Sequence, residues 1–460
     1  MNRTEDILNA LRDATRGTTY AGRLFLVGGF VRDKAMGLPS AKDDLDIVTE
    51  LNALELAELL WEQGIAQFPP VVYPRFGTAM IVVQGRDVEL VTARIESYAP
   101  HSRKPEQVHP GTLIDDARRR DFTINTLLEN LHTGELTDPL GLAYTDLDAQ
   151  IIRTPTEPGL TFADDPLRML RAVRFAARFG FTIAPETWEA IRANASRLAI
   201  ISAERINDEF SKTLLTVRAP LGLHLLKDSG LLALFAPELL EMVGVTQNAF
   251  HVYDVWTHTL VALGSLPADA SLVLRLATLF HDTGKPRTRM VDAEEHVHFY
   301  GHQDVSAEIV RAWMHRLKFS NEEIAAVTRL VAEHMRIGEY HADWTDSAVR
   351  RLIRDLGPCL PELFALHAAD VAGLSPDHQD IFRAHELRAR IEDIQEHQDV
   401  TKLTSPLTGQ EIMTLLDLEP GKGVGHVKDY LTNEVVEGRL APDDKENAAK
   451  LARACLDGAV

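Results

Sequence analysis

Near the N-terminus, glycines and carboxylates stand where they can handle a polyphosphate. Phe25-Leu26-Val27-Gly28-Gly29-Phe30-Val31-Arg32-Asp33 is followed by Asp44-Leu45-Asp46-Ile47-Val48. Glycines at the end of an apolar strand let backbone N–H groups approach phosphate oxygens, and the start of a helix adds a favourable dipole. On a strand, Asp44 and Asp46 project from the same face. Two neighbouring carboxylates repel unless they hold divalent cations, typically Mg²⁺ shared with substrate phosphates. Glu89 lies between Val88 and Leu90, which face the other way. It is a third candidate carboxylate, with an exposed strand glutamate as the equal alternative. A phosphate cradle beside a metal-binding carboxylate pair is the equipment of nucleotidyl transfer.

Further on, Arg118-Arg119-Arg120-Asp121-Phe122-Thr123-Ile124-Asn125 brings arginine forks to an aspartate and an asparagine. Such forks bind phosphate or ribose hydroxyls in a bidentate manner, and Asp121 can orient an arginine or accept from a ribose. In Asp164-Asp165-Pro166-Leu167-Arg168-Met169-Leu170-Arg171, the spacing predicts Asp165 and Arg168 on one helical face. An acceptor and a donor fork together imitate a base-pairing edge that suits C and A and repels G and U. A surface ion pair is the competing reading. Arg171, Arg174 and Arg178 continue as a basic stripe suited to RNA phosphates.

A second constellation begins at His258 and continues through His281-Asp282-Thr283-Gly284-Lys285, His302, His334 and Asp370. Imidazole and carboxylate together suit transition metals such as Mn²⁺ or Ni²⁺ over Mg²⁺. Adjacent His and Asp can supply two ligands to one site, and Lys285 suits a substrate phosphate.

These residues need elements to position them. Arg23 to Val27 reads as a strand, and Leu51 to Glu62 as a helix. The β-rich runs Thr78–Val83 and Asp87–Thr92 flank Gln84-Gly85-Arg86, a hairpin signal. From about Pro158 the pattern is helical, with Ala163 to Phe179 carrying apolar Leu167, Leu170, Val173 and Ala177. The fold class is therefore α+β, an N-terminal mixed sheet with helices followed by an all-helical body. A length of 460 residues accommodates about three domains. Two cysteines far apart, no signal-peptide core and no membrane-length apolar run lead us to expect a cytoplasmic, reduced protein. The net charge of −20 argues against a generic nucleic-acid binder, so an RNA partner has to be held by local basic patches and metal ions. The sequence leaves the oligomeric state open.

In combination, Gly-Gly-x-Val-Arg-Asp with Asp-x-Asp, Arg-Arg-Asp-Phe-Thr-Ile-Asn and Asp-Asp-Pro-Leu-Arg-Met-Leu-Arg-Ala-x-Arg-Phe resemble one family. That family is the class II tRNA nucleotidyltransferase (CCA-adding enzyme)/poly(A) polymerase family of the polymerase-β superfamily. The resemblance covers about residues 20–215. It implies triphosphate and Mg²⁺ binding by Gly28, Gly29, Arg32, Asp44 and Asp46, and nucleotide contacts by Arg119, Arg120, Asp121 and Asn125. It assigns the protein template for C and A to Asp165 and Arg168, with Arg171 and Arg174 nearby. Asp138-Pro139-Leu140-Gly141 resembles the family's hinge, and Glu204-Arg205-Ile206 with Glu209 its neck-stabilising motif.

The segment Arg94 to Gln107 resembles the family's flexible loop, whose presence favours CCA or A addition over CC addition alone. Tyr73-Pro74-Arg75-Phe76-Gly77-Thr78 stands where bacterial poly(A) polymerases carry Gly-Arg-Arg-Phe, which favours tRNA as the substrate. The His/Asp order resembles the HD phosphohydrolase superfamily. There His258, His281, Asp282 and Asp370 would hold one metal, and His302 and His334 would complete a second.

The resemblance implies a polymerase-β-like head over 1–155 and a helical neck over 156–225. An HD metal-dependent body over 226–395 and a helical tRNA-contacting tail over 396–460 follow. In the tail, Pro420-Gly421-Lys422-Gly423 reads either as a glycine-rich hairpin approaching RNA or as a plain helix–loop–helix. The implied substrates are tRNA, CTP and ATP. CC-only, A-only or poly(A) addition are the alternatives within the family, and a protein that is chiefly a phosphohydrolase is the rival outside it.

Overall fold

The computed structural model describes residues 3–39, 45–98, 105–248, 250–378, 381–397, 400 and 403–456. They form two compact units, Met1–Leu240 and Glu241–Val460. Asp44 and the middle of the Arg94 to Gln107 loop, with His101, Arg103 and Lys104, lie outside the described residues.

The first unit is organised by alternation. It runs α1 (Arg3–Thr15), β1 (Phe25–Val27), α2 (Gly29–Ala35), β2 (Leu45–Thr49), α3 (Ala53–Glu62), β3 (Val71–Tyr73), β4 (Thr78–Val83) and β5 (Arg86–Thr92). A hairpin of β6 (Arg94–Tyr98) and β7 (Pro105–Pro110), then α4 (Leu113–Arg118), β8 (Leu128–Asn130) and β9 (Leu136–Thr137), complete the head. The sheet order is β3-β4-β5-β2-β1-β8-β9, with β2 and β5 parallel and the other neighbours antiparallel. Gln84 and Gly85 both take left-handed conformations, and the hairpin they close is the one the sequence announces.

Leu45, Ile47, Val88 and Leu90 face a core shared with Ile7 and Leu11 of α1 and Leu56 and Leu60 of α3. Each such side chain contributes about 1.5–3 kcal/mol by burial, so a one-residue slip that exposed this set is excluded. The opposite face carries only a small apolar cluster of Val27, Val48, Ala93 and Leu128. Leu45 and Ile47 of β2 thus belong to the main core, and Asp46 between them is left for chemistry on the other face.

Helices α5 (Ala143–Asp148), α6 (Pro158–Asp164), α7 (Leu167–Phe179), α8 (Pro185–Asn194) and α9 (Ala203–Leu214) follow, and α7 packs on α9. The expected continuous helix from Ala163 is corrected: the chain breaks at Asp165, which is extended at φ −139° and ψ 101°. The residue before a proline is pushed out of the helical region, and Pro166 imposes that here. Compactness carries the helices up to Leu240 with this unit.

Among the described residues, the second unit is helical apart from one short hairpin, Met290–Val291 with Val297–His298. Helices Val255–Ser265, Leu272–Phe280, Asn321–Glu333 and Leu360–Ala372 pack on one another. Gly409–Leu416, Lys422–Val436 and Lys445–Leu456 close a separate core around Ile412, Leu431 and Ala448. Of the two readings of Gly421-Lys422-Gly423, helix–loop–helix holds: Gly421 caps a helix that starts at Lys422. No helix among the described residues is long and apolar enough to cross a membrane.

Candidate active site and metal centre

In the head, register decides the chemistry. Val27 pairs with Asp46, and Asp46 pairs with Glu89 across the parallel strands. Both carboxylates therefore stand side by side on the face that the main core does not use. Gly28 ends β1 with φ +77°, and a Cβ there would lie 3.3 Å from Asp46 Oδ2 and 3.8 Å from Arg120 Nη1. The glycine keeps open the space between a carboxylate and a guanidinium. That space belongs to a cavity of about 250 Å³ lined by Gly28, Gly29, Asp46, Asp121 and Asn125. Arg32, Arg120, Arg171, Arg174 and Arg178 line the same cavity. Five guanidiniums against two carboxylates leave a surplus of donors, which suits a polyanion.

Buried acids aim these arginines. Asp116 accepts from Arg119 Nε at 2.8 Å through one oxygen and from Arg120 Nη2 at 2.9 Å through the other. Asp121 accepts from Asn125 at 2.8 Å and from Arg171 Nε at 2.8 Å. Burial opposes ionisation of Asp121, but Arg171 and Asn125 outweigh it and hold the carboxyl well below the usual range. Glu209 takes Arg174 at 2.6 Å and Arg171 at 3.3 Å, and Asp33 takes Arg178 at 2.7 Å. Arg32 is 3% exposed, donates to Asp33 and Asn125 at 2.7 Å each, and lies over the rings of Phe175 and Phe179. The expected basic stripe for RNA is corrected by these pairs: Arg171, Arg174 and Arg178 are engaged with acids and face the cavity.

Asp165 and Arg168 do not share a helical face, because Asp165 precedes the helix. Its carboxylate accepts from Leu167 N at 3.1 Å and from Arg205 at 3.1 Å, while Arg168 donates to the Arg119 carbonyl at 2.6 Å. Arg168 is thereby tied to the Asp116 cluster by the backbone. Sequence reasoning missed Asp116, whose spacing of three and four residues to Arg119 and Arg120 on a helical turn carried the signal.

In the second unit, six residues named from the sequence converge. Ligand atoms of His258, His281, Asp282 and Asp370 lie within 4.8 Å of one another, as do those of Asp282, His302 and His334. Asp282 is common to both sets. His281, His302 and His334 each turn Nδ1 onto a main-chain carbonyl, of Thr278, Phe299 and Val331, at 2.7–2.8 Å. With the Nδ1 proton committed there, Nε2 is the atom turned to the centre, the arrangement that orients metal-bound histidines. His281 Nε2 is buried without a hydrogen-bond partner, and Asp282 Oδ2, equally buried, faces the Lys285 ammonium at 2.7 Å. Such an orphaned atom fits a metal, which would be held by these ligands.

Charge agrees with this fit. Burial alone would lower His281, yet Asp282 and Asp370 push it up to about 10. The two carboxyls are held well below their ordinary range despite burial. A proton on His281 thus answers a demand for positive charge that a divalent cation also meets. Lys285 adds to the balance as the cation paired with Asp282, and its Nζ donates to Gln247 at 2.8 Å. Two glycines allow the close approach. A Cβ on Gly284 would fall 2.3 Å from the His302 carbonyl, and one on Gly373 would fall 2.4 Å from His258 Nδ1. The cluster opens into a cavity of about 260 Å³ that His251 also lines. His251 was not singled out from the sequence; burial, then Lys285, lowers it to about 4.

Comparisons with known proteins agree with this division of chemistry. Residues 24–153 match the poly A polymerase head domain, 180–242 the probable RNA and SrmB-binding site of polymerase A, and 249–372 the HD domain. The A-adding tRNA nucleotidyltransferase of Deinococcus radiodurans is 38% identical, covering 92% of this chain and 94% of that protein. The CC-adding tRNA nucleotidyltransferase of Thermus thermophilus is 34% identical, covering 92% of each. The crystal structure of the Bacillus stearothermophilus CCA-adding enzyme in complex with CTP has the same fold. Its TM-score is 0.71 at 23% identity, over 100% of this chain and 99% of that one.

Proposed function

The chain belongs to the class II tRNA nucleotidyltransferase/poly(A) polymerase family, and on that premise we propose that it adds C and A to the 3′ end of tRNA from CTP and ATP. It is a nucleotidyltransferase. The observation that carries the reading is the arginine-rich cavity that meets Asp46 at the glycine end of β1. A triphosphate fits the guanidinium N–H donors that the buried acids leave over, and Asn125 and Asp121 are hydrogen-bonding groups for the sugar.

Mg²⁺ would be held by Asp44 and Asp46, with Glu89 alongside, and when bound it supplies stabilisation of the attacking and leaving oxygens. The tRNA 3′ hydroxyl attacks the α-phosphate in line, forming the new P–O bond as pyrophosphate leaves. Asp165 and Arg168 are the proposed template for C and A; Asp165 would then exchange Arg205 for the base amine. In this reading the chain functions as head 1–155, neck 156–225, body 226–395 and tail 396–460, with the tail contacting tRNA.

Extension of tRNAs ending before the CCA, after C or after CC, with labelled CTP and ATP, tests the proposal. Addition of all three nucleotides is expected. Incorporation of A alone onto the CC end would instead place the chain with its Deinococcus relative as an A-adding enzyme.

A second activity is favoured by the converging Nε2 atoms around Asp282. We propose a transition-metal phosphohydrolase, with Mn²⁺ or Ni²⁺ as the metal, that clears 2′,3′-cyclic phosphates from tRNA 3′ ends. Water supplies the oxygen of the new P–O bond, one ribose oxygen leaves with a proton, and a phosphomonoester results. Hydrolysis of adenosine 2′,3′-cyclic phosphate across added metals checks it, and inactivity with every metal would make the cluster structural.

A further inference from the structure

The cavity over the Asp282 cluster has a wall that neither binds metal nor belongs to the core. It is made by the hairpin Met290–Val291/Val297–His298 and the residues just after it, with Val297, His298, Phe299 and Tyr300 all lining the cavity. His298 and Tyr300 are stacked, with ring centroids 5.2 Å apart and planes 9° from parallel. Tyr300 is 71% exposed. An aromatic so open to water adds little to folding, and one of its faces remains available.

The wall is held rigid from beneath. Asp292 accepts from His298 Nε2 at 2.8 Å and from the backbone N–H groups of Glu294 and His296. One carboxylate thus fixes both the turn and the lower ring of the stack. Phe299 connects the wall to the cluster: its carbonyl orients His302, and its ring lies under Lys285 Nζ at 5.5 Å. Tyr300 therefore sits one residue from the group that aims a metal-binding imidazole. The hairpin's tip carries Glu294 and Glu295, both exposed, which repel a phosphate backbone running along it. The ligand that fits is flat, uncharged and attached close to the phosphate.

We propose that Tyr300, backed by His298, is a stacking platform for the nucleobase adjacent to the phosphate hydrolysed at this cluster. The substrate is then a nucleotide, free or at an RNA 3′ end, selected over base-free phosphate esters. The proposal rests on the phosphohydrolase reading of the site. Base–aromatic stacking tolerates any base, so the platform selects for a nucleotide without selecting its sequence.

The test compares adenosine 2′,3′-cyclic phosphate with glycerol 1,2-cyclic phosphate, which carries the same strained ester without a base. In the full-length protein, Tyr300→Ala should lower the nucleotide-to-glycerol ratio of kcat/KM by about ten- to a hundredfold, through KM, and Tyr300→Phe should restore it. A ratio equal to wild type overturns the platform. Should wild type hydrolyse neither ester with any metal, the hydrolase reading falls and binding decides. Calorimetric titration with adenosine 3′-monophosphate then has to give a site weakened at least about tenfold in Tyr300→Ala, and identical isotherms reject the stack. A short RNA ending in a cyclic phosphate separates the two sources: a kcat/KM above that of the mononucleotide points to chain ends, a lower one to free nucleotides, and either supports the platform.

Discussion

At the end of β1, guanidiniums outnumber the carboxylates that line the cavity with them, whereas around Asp282 carboxylates and imidazole nitrogens converge with few donors between them. Both sites bury charge, and both depend on acids to do so. In the head, the acids Asp116, Asp121, Asp33 and Glu209 are hydrogen-bonded by the arginines they hold, and the donors left over call for an anion. In the body, His281 keeps an orphaned Nε2 beside the ionised Asp282 and Asp370, and what is left over calls for a cation. The sign of the missing partner can be read from which kind of group is unsatisfied.

If that contrast is right, the two sites separate under mutation. Asp46→Ala should cut nucleotide incorporation by about a thousandfold or more while cyclic-phosphate hydrolysis persists, measured on one preparation with both assays. Loss of both activities together would break the contrast. The converse is His281→Ala, for which we expect phosphodiesterase activity to fall at least about a hundredfold and bound transition metal to disappear on elemental analysis. Nucleotide addition should survive that change.

A smaller effect sharpens the head alone. Asp165→Ala should relax discrimination against UTP and GTP by about ten- to a hundredfold, as expected for one lost hydrogen bond at a buried polar edge. Unchanged selectivity in competition assays would leave Asp165 as a helix cap paired with Arg205.

The smallest effect concerns stability. Asp121→Asn should destabilise the first unit by about 1–3 kcal/mol at pH 7, read from its thermal unfolding. The folded carboxyl is depressed, so its contribution is complete above the unfolded value of about 4 and is lost as pH falls towards the folded one. The gap between wild type and variant should therefore narrow between pH 5 and pH 3. A gap that widens on acidification would contradict the pairing with Arg171.

The parts of this arrangement that were legible in the sequence are those set by a strand's two-residue period or by chemistry concentrated in a few residue types. Asp46 and Glu89 alternate with core residues, so their shared face followed once the strands were recognised. The six His and Asp residues around Asp282 stand in the order their resemblance implied, and they meet. Asp165 was misplaced because its spacing to Arg168 reads as one helical face, although a proline that opens a helix pushes the residue before it into extended backbone. Asp121 was expected to orient an arginine and takes Arg171, but the Glu209 and Asp33 partners of Arg171, Arg174 and Arg178 were not legible. Glu209 is 38 positions from Arg171 and Asp33 is 145 from Arg178, and only tertiary packing brings such groups into reach.

Asp116 has a consequence for how the head can be dissected. Because its two oxygens are divided between Arg119 and Arg120, neither arginine is an independent variable. Truncating one leaves an oxygen of a buried acid bare and frees the other side chain to reorient, so a single-site scan charges that disturbance to the arginine removed. Summed single effects should exceed the effect of removing both. The three residues amount to one thermodynamic unit, and the coupling energy from a double-mutant cycle is the quantity that describes it.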